Sequence, residues 1–189
     1  SAYGADAVAA MGISYKIYMV PMQVSMGFSQ GIMPLVSYNF ASGDRKRMKA
    51  SILFAIKLVV PALAVVTLLY YIGSGELISL FMKNESIIAY GSRFLRGFSL
   101  GLAFLSLDFL TVGVFQSLGF GKYALLFAVM RKLVLEIPAL LILNAIFPLY
   151  GLAYAQFTAE LILGVCAILM LRYIFRKYGN NIKTTTDPF

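Results

Sequence analysis

Histidine is absent from the 189 residues, and Cys166 is the only cysteine. Together these gaps exclude a disulfide framework, a thiolate zinc site and haem-type ligation within one chain. Cys166 lies in an apolar run and reads as small packing rather than as a nucleophile. Charge is scarce as well: 13% of residues are charged and 60% are hydrophobic, with a mean hydropathy of +0.83. A soluble domain sits nearer half apolar and a quarter charged, so this excess is more than a core requires. No Ser/His/Asp or metal-type catalytic constellation is present, and no enzymatic activity is expected. The start, Ser1-Ala2-Tyr3-Gly4-Ala5-Asp6, lacks a secretory leader pattern and an initiator Met, so a fragment or a processed chain is expected.

Long apolar runs take the place of the missing chemistry. They cover 5–38, 51–72, 94–118, 123–146 and 151–174, each near the ~20 residues that a helix needs to cross hydrocarbon. They lack the two-residue alternation of outer-membrane barrels. The expected fold is an all-α membrane protein, a bundle of five transmembrane helices spanning 1–178, followed by a polar cytoplasmic tail at 179–189. The connections are 39–49, 73–93, 119–122 and 147–150.

Orientation follows from the basic residues. A net charge of +8 suits nucleic acid only when it forms a face on a soluble domain. Here the charge clusters between spans instead: Arg45, Lys46, Arg47 and Lys49, then Lys122 with Arg131 and Lys132 further in, then Arg172, Arg176, Lys177 and Lys183. The positive-inside rule places these on the cytoplasmic side of a cell membrane, with the C-terminus cytoplasmic. Lys83 and Arg93 fall on the other side, diluted by Glu76 and Glu85. Five spans ending inside begin outside, so at least one upstream helix is expected.

Three acids sit near the middle of their spans: Asp108, Glu136 and Glu160. A charge at that depth costs about 2.5–3.5 kcal/mol and by default marks a pathway or coupling site. Asp108 belongs to a helical stripe of Gly97, Gly101, Phe104, Asp108, Thr111 and Phe115, whose glycines permit close helix approach. It is the leading candidate to exchange a proton or a sodium ion; the alternative is a locked structural ion pair. Glu160 shares a face with Ala153, Gln156, Gly164 and Ala167, and helix–helix hydrogen bonding suits it equally well. Glu136 has Lys132 one turn earlier and needs no substrate to satisfy it. Arg131 either snorkels to water or partners an acid. The first span carries Lys16, Gln23, Gly27, Gln30, Pro34 and Ser37 in one stripe, with Met11, Met19, Met22, Met26 and Met33. Gln23, Met26 and Gln30, with Thr111 and Phe115, are the substrate-cavity candidates, because Met accepts varied apolar ligands, although Met at helical spacing also serves as packing. Pro21, Pro34, Pro61 and Pro138 permit kinks within spans. Gly119-Phe120-Gly121-Lys122 lacks the spacing of a phosphate loop and reads as a tight turn. Asn84-Glu85-Ser86 is a formal glycosylation sequon.

The chain resembles the multidrug and toxic-compound extrusion transporters of the multidrug/oligosaccharidyl-lipid/polysaccharide flippase superfamily. The similarity rests on Ala7-Val8-Ala9-Ala10-Met11-Gly12-Ile13, Gly27-Phe28-Ser29-Gln30-Gly31-Ile32-Met33-Pro34 and Tyr38-Asn39-Phe40-Ala41-Ser42-Gly43. It continues through Phe115-Gln116-Ser117-Leu118-Gly119 with Gly121-Lys122, then Arg131, Ile137-Pro138 and Tyr150-Gly151-Leu152-Ala153, over almost all of residues 4–178. The resemblance implies two six-helix lobes, of which this chain supplies the last five helices of the C-terminal one. It implies antiport of cationic lipophilic compounds against H+ or Na+, by alternating access in the bilayer, together with the missing N-terminal lobe and the first helix of this lobe. No cofactor is implied beyond the coupling ion, and no metal beyond Na+ at Asp108, which stands roughly where some members place a coupling acid. The alternative is a lipid-linked oligosaccharide or peptidoglycan-precursor flippase of the same superfamily, which would present several Arg residues to a pyrophosphate. No nucleic-acid partner is expected.

Overall fold

The computed structural model describes residues 4–146 and 149–178. The tail at 179–189 and the first half of the 147–150 connection lie outside the described residues. Among those described there are helices and no strands: α1 (Ala5–Ala41), α2 (Arg45–Ile72), α3 (Ser74–Ser79), α4 (Glu85–Ser99), α5 (Leu102–Ser117), α6 (Gly121–Val129), a π-helical segment (Met130–Glu136), α7 (Ile137–Ile146) and α8 (Gly151–Tyr178). By length and composition α2 and α8 can each cross a membrane, and α4 with α5 makes a third span if that bent pair is one. α1 is long enough, but Lys16, Gln23 and Gln30 dilute its apolar character. The rod over 121–146 is divided by its π-helical segment.

Local chemistry sets the boundaries. The 39–49 connection is shorter than its charge suggests, because α1 continues to Ala41 and Asp44 caps α2 by accepting from the Arg47 amide at 2.9 Å. The 73–93 connection requires correction: α3 and the beginning of α4 are helical within it. Its charged residues lower the hydropathy without lowering helix propensity. Asn84, read as part of a sequon, is the N-cap of α4, with Oδ1 accepting from the Ser86 amide at 2.9 Å. The apolar run at 94–118 is likewise two helices, bent by 44° where α4 gives way to α5. The tight turn after α5 holds: Gly119 takes φ 78°, and the Phe120 amide closes back on the Phe115 carbonyl at 2.8 Å. A left-handed residue followed by that bond is a Schellman-type helix end, which glycine adopts without a Cβ penalty.

α5 is the central post. It packs against α1, α2, α6 and α8, and its buried residues run all round the helix: Leu102, Leu105, Leu107, Leu110 and Val114 among them. Glycines bring its neighbours close. A Cβ on Gly97 would stand 2.7 Å from Ala153 Cβ, and one on Gly164 would stand 2.8 Å from Phe104 Cδ1. Gly113 lies against Ser29, whose hydroxyl donates to the Phe109 carbonyl at 2.6 Å and ties α1 to α5. The Ser14 hydroxyl reaches the Gly91 carbonyl at 2.9 Å and ties α1 to α4. Small residues with buried hydroxyl bonds are what hold helices together where lipid removes the hydrophobic drive.

Candidate functional site

Three helical elements converge on one polar cluster. α5 brings Asp108, α8 brings Glu160, and the π-helical segment brings Arg131 between them. Arg131 Nη1 stands 2.9 Å from Asp108 Oδ2, and Nη2 stands 3.2 Å from Glu160 Oε1. The Asp108 and Glu160 side chains are only 2% and 3% exposed, against 13% for Arg131. The guanidinium also lies 5.1 Å from the Phe109 ring centroid, within cation–π range.

The approach of α8 to the α4–α5 pair makes the cluster possible. Gly101 leaves room for the Glu160 methylenes, since a Cβ there would be 3.2 Å from Glu160 Cγ. The stripe of Gly97, Gly101, Phe104 and Asp108 therefore faces the stripe of Ala153, Glu160 and Gly164. From α1, the Tyr18 hydroxyl donates to Glu160 Oε1 at 3.4 Å, and Gln156 Nε2 donates to Tyr18 Oη at 2.7 Å. Tyr18 is fully buried and packs on Phe98 with ring centroids 5.6 Å apart.

Two features leave the cluster chemically incomplete. With both carboxyls ionised, a single guanidinium would leave the cluster one negative charge in excess. Asp108 Oδ1 and Glu160 Oε2 are buried with no hydrogen-bond partner among the described residues. An unpartnered buried carboxylate oxygen is costly, and a proton or a monovalent cation at this position would satisfy both deficits. No group of three or more His, Cys, Asp or Glu residues converges among the described residues.

The other candidates fall elsewhere. Glu136 accepts from Lys132 Nζ at 2.7 Å in a pair that is exposed on the Lys side. Gln23, Met26 and Gln30 lie exposed along one face of α1, away from the buried face that carries Ser14, Tyr18, Ser25 and Ser29. Thr111 and Phe115 do not join them. Thr111 is fully buried and donates to the Leu107 carbonyl at 2.7 Å. Phe115 packs into the core beside Val114 and Leu118. Thr111 and Phe115 therefore do not share the exposed face of Gln23, Met26 and Gln30. Sequence reasoning passed over Tyr18; the hydroxyl residues recurring at 14, 18, 25 and 29 on α1 are the signal that marks its face.

Residues 1–142 match the family model MatE. The chain belongs to the MatE family. The multidrug export protein MepA of Staphylococcus saprophyticus is 32% identical over 174 residues, covering 92% of this chain and 38% of that protein. MepA of Staphylococcus haemolyticus is 31% identical over 92% of this chain and 37% of its own length. Among solved structures, the Vibrio cholerae MATE transporter VcmN in its bent form superposes with a TM-score of 0.85 at 18% identity, covering 94% of this chain and 40% of that one. An inward-facing multidrug resistance MATE family transporter gives 0.82 at 17% identity over 90% and 40%. The MatE chain thus spans about two-fifths of the length of the proteins it matches. It has the helical fold of part of a larger transporter.

Proposed function

We propose that the MatE protein carrying this chain is a secondary active multidrug efflux transporter, exporting cationic lipophilic compounds by antiport against H+ or Na+. The observation that carries the reading is the buried Asp108–Arg131–Glu160 cluster, in which two acids share one guanidinium and one carboxyl oxygen of each is unpartnered among the described residues. The names of the relatives support multidrug export; the coupling role of Asp108 rests on the cluster. Arg131 acts as a tethered cation holding the two acids together, and an arriving ion competes with it. Ion binding then favours one facing state and drug the other, since only a difference in affinity between states shifts the equilibrium. The exposed Gln23, Met26 and Gln30 face of α1 offers a polar and polarizable wall on which such a drug would rest. The basic end of the bundle, with Arg45, Lys49, Lys122, Arg172 and Arg176, is read as cytoplasmic.

A flippase for a pyrophosphate-linked substrate draws no support from the same cluster. Arg131 is committed to two carboxylates, and Arg96 donates to the Tyr71 carbonyl at 3.1 Å. Asp108→Asn and Glu160→Gln in the full-length protein, reconstituted in liposomes under imposed proton or sodium gradients, test the proposal. Ion-driven ethidium efflux should fall to background with protein levels unchanged. Wild-type efflux in both variants would remove the cluster from the coupling mechanism.

A further inference from the structure

At the basic end, α2 and α8 diverge around a cavity of about 650 Å³, lined by Lys49, Leu169, Arg172, Tyr173, Phe175 and Arg176. Three of these six residues are cationic and none is acidic. Every ion pair among the described residues involves Arg131 or Lys132, so Lys49, Arg172 and Arg176 face the cavity with their charge unneutralised. Lys49 is held in place by the Phe175 ring, 5.4 Å from Nζ. One turn earlier on α2, Arg45 stacks 4.1 Å over Phe40 with Nη1 buried and without a hydrogen-bond partner among the described residues.

The apolar part of the same face identifies the ligand. Leu169 and Tyr173 are 58% and 59% exposed. Continuing along α8 at helical spacing, Val165, Ile162 and Leu161 are exposed as well. A free anion would need the cations but not this strip. A phospholipid needs both, because its phosphate seats among the cations while its acyl chains run down the apolar face, and basic pockets between spanning helices at a membrane surface suit such headgroups. We propose that the cleft between the N-terminal end of α2 and the C-terminal end of α8 is a binding site for an anionic phospholipid headgroup, held by Lys49, Arg172 and Arg176. The proposal needs this end to lie at a membrane surface. It does not depend on which surface that is, nor on the transport cycle.

The test uses the full-length protein in nanodiscs with identical leaflets, made from equal parts phosphatidylglycerol and phosphatidylcholine, with retained lipid read by native mass spectrometry. Wild type should retain phosphatidylglycerol in preference. In the combined K49Q, R172Q and R176Q variant that preference should fall roughly fivefold for each charge removed. Replacing Lys46, an exposed cation outside the cavity, by Gln should leave it unchanged. The single R176Q variant, altered at an exposed position, should give one fivefold step even if the combined variant folds poorly. Inorganic phosphate at millimolar concentration should not displace the lipid. Equal retention by wild type and R176Q, or displacement by free phosphate, would overturn the site. Because no gradient is applied, this outcome is separate from success or failure of ion-driven efflux.

Discussion

Replacing Arg131 by Met in the full-length protein removes the only cation bonded to Asp108 and Glu160 among the described residues, while keeping the length of the side chain. The two carboxylates it leaves are 2% and 3% exposed, so water cannot replace the lost partner. Breaking a buried pair from one side costs about 3–5 kcal/mol, because an uncompensated charge remains. Two charges lose their partner here, which places the expected loss at the upper end of that range. Lys132→Met is the control one residue along the same segment. Its partner Glu136 lies in a pair whose Lys side chain is 62% exposed, and such pairs contribute about 0.3–0.5 kcal/mol. Thermal unfolding in detergent should therefore show a drop of several degrees for Arg131→Met and almost none for Lys132→Met. Adding Asp108→Asn and Glu160→Gln to Arg131→Met should restore most of the loss, since a neutral cluster no longer buries unpaired charge. If Arg131→Met melts with wild type, or if the neutralised triple variant melts as low as Arg131→Met alone, the guanidinium is not what holds the acids.

Two further outcomes follow from the packing. Gly97→Val should destabilise the α4–α8 contact by about 1–3 kcal/mol, since the overpacked Cβ meets Ala153 and has nowhere to go. Gly31→Ala, with nothing within 4 Å of the added Cβ, should be neutral or stabilising in the same melt; equal losses at the two positions would refute the close approach. In a Cys166→Ala background of the full-length protein, Gln23→Cys and Gln30→Cys should react with a polar maleimide far faster than Val165→Cys. Equal labelling of Val165→Cys would deny that α8 presents that strip to lipid.

The sequence alone settles the material of this protein. Hydrocarbon solvates no backbone polar group, so a chain with these apolar runs has to be helical, and the helical stripes already mark Asp108, Glu160 and their glycines as facing inward. Helices without strong hydropathy were harder to read: α3 and the start of α4 sit among Glu76, Lys83, Glu85 and Arg93, and the cap at Asn84 announces α4 alone, since α3 has no side-chain cap. What the acids do could not be read from spacing. Asp108 and Glu160 are 52 positions apart, and their sharing of Arg131 depends on Gly97, Gly101 and Gly164 letting α8 approach α4 and α5. A π-helical segment then sets the register that aims the guanidinium between them. An ion pair depends on distances of a few ångströms between separate helices, and no local pattern along a chain encodes those. Tertiary packing decided that two isolated acids became one buried cluster, and that Lys49 of α2 joined Arg172 and Arg176 of α8 around one cleft.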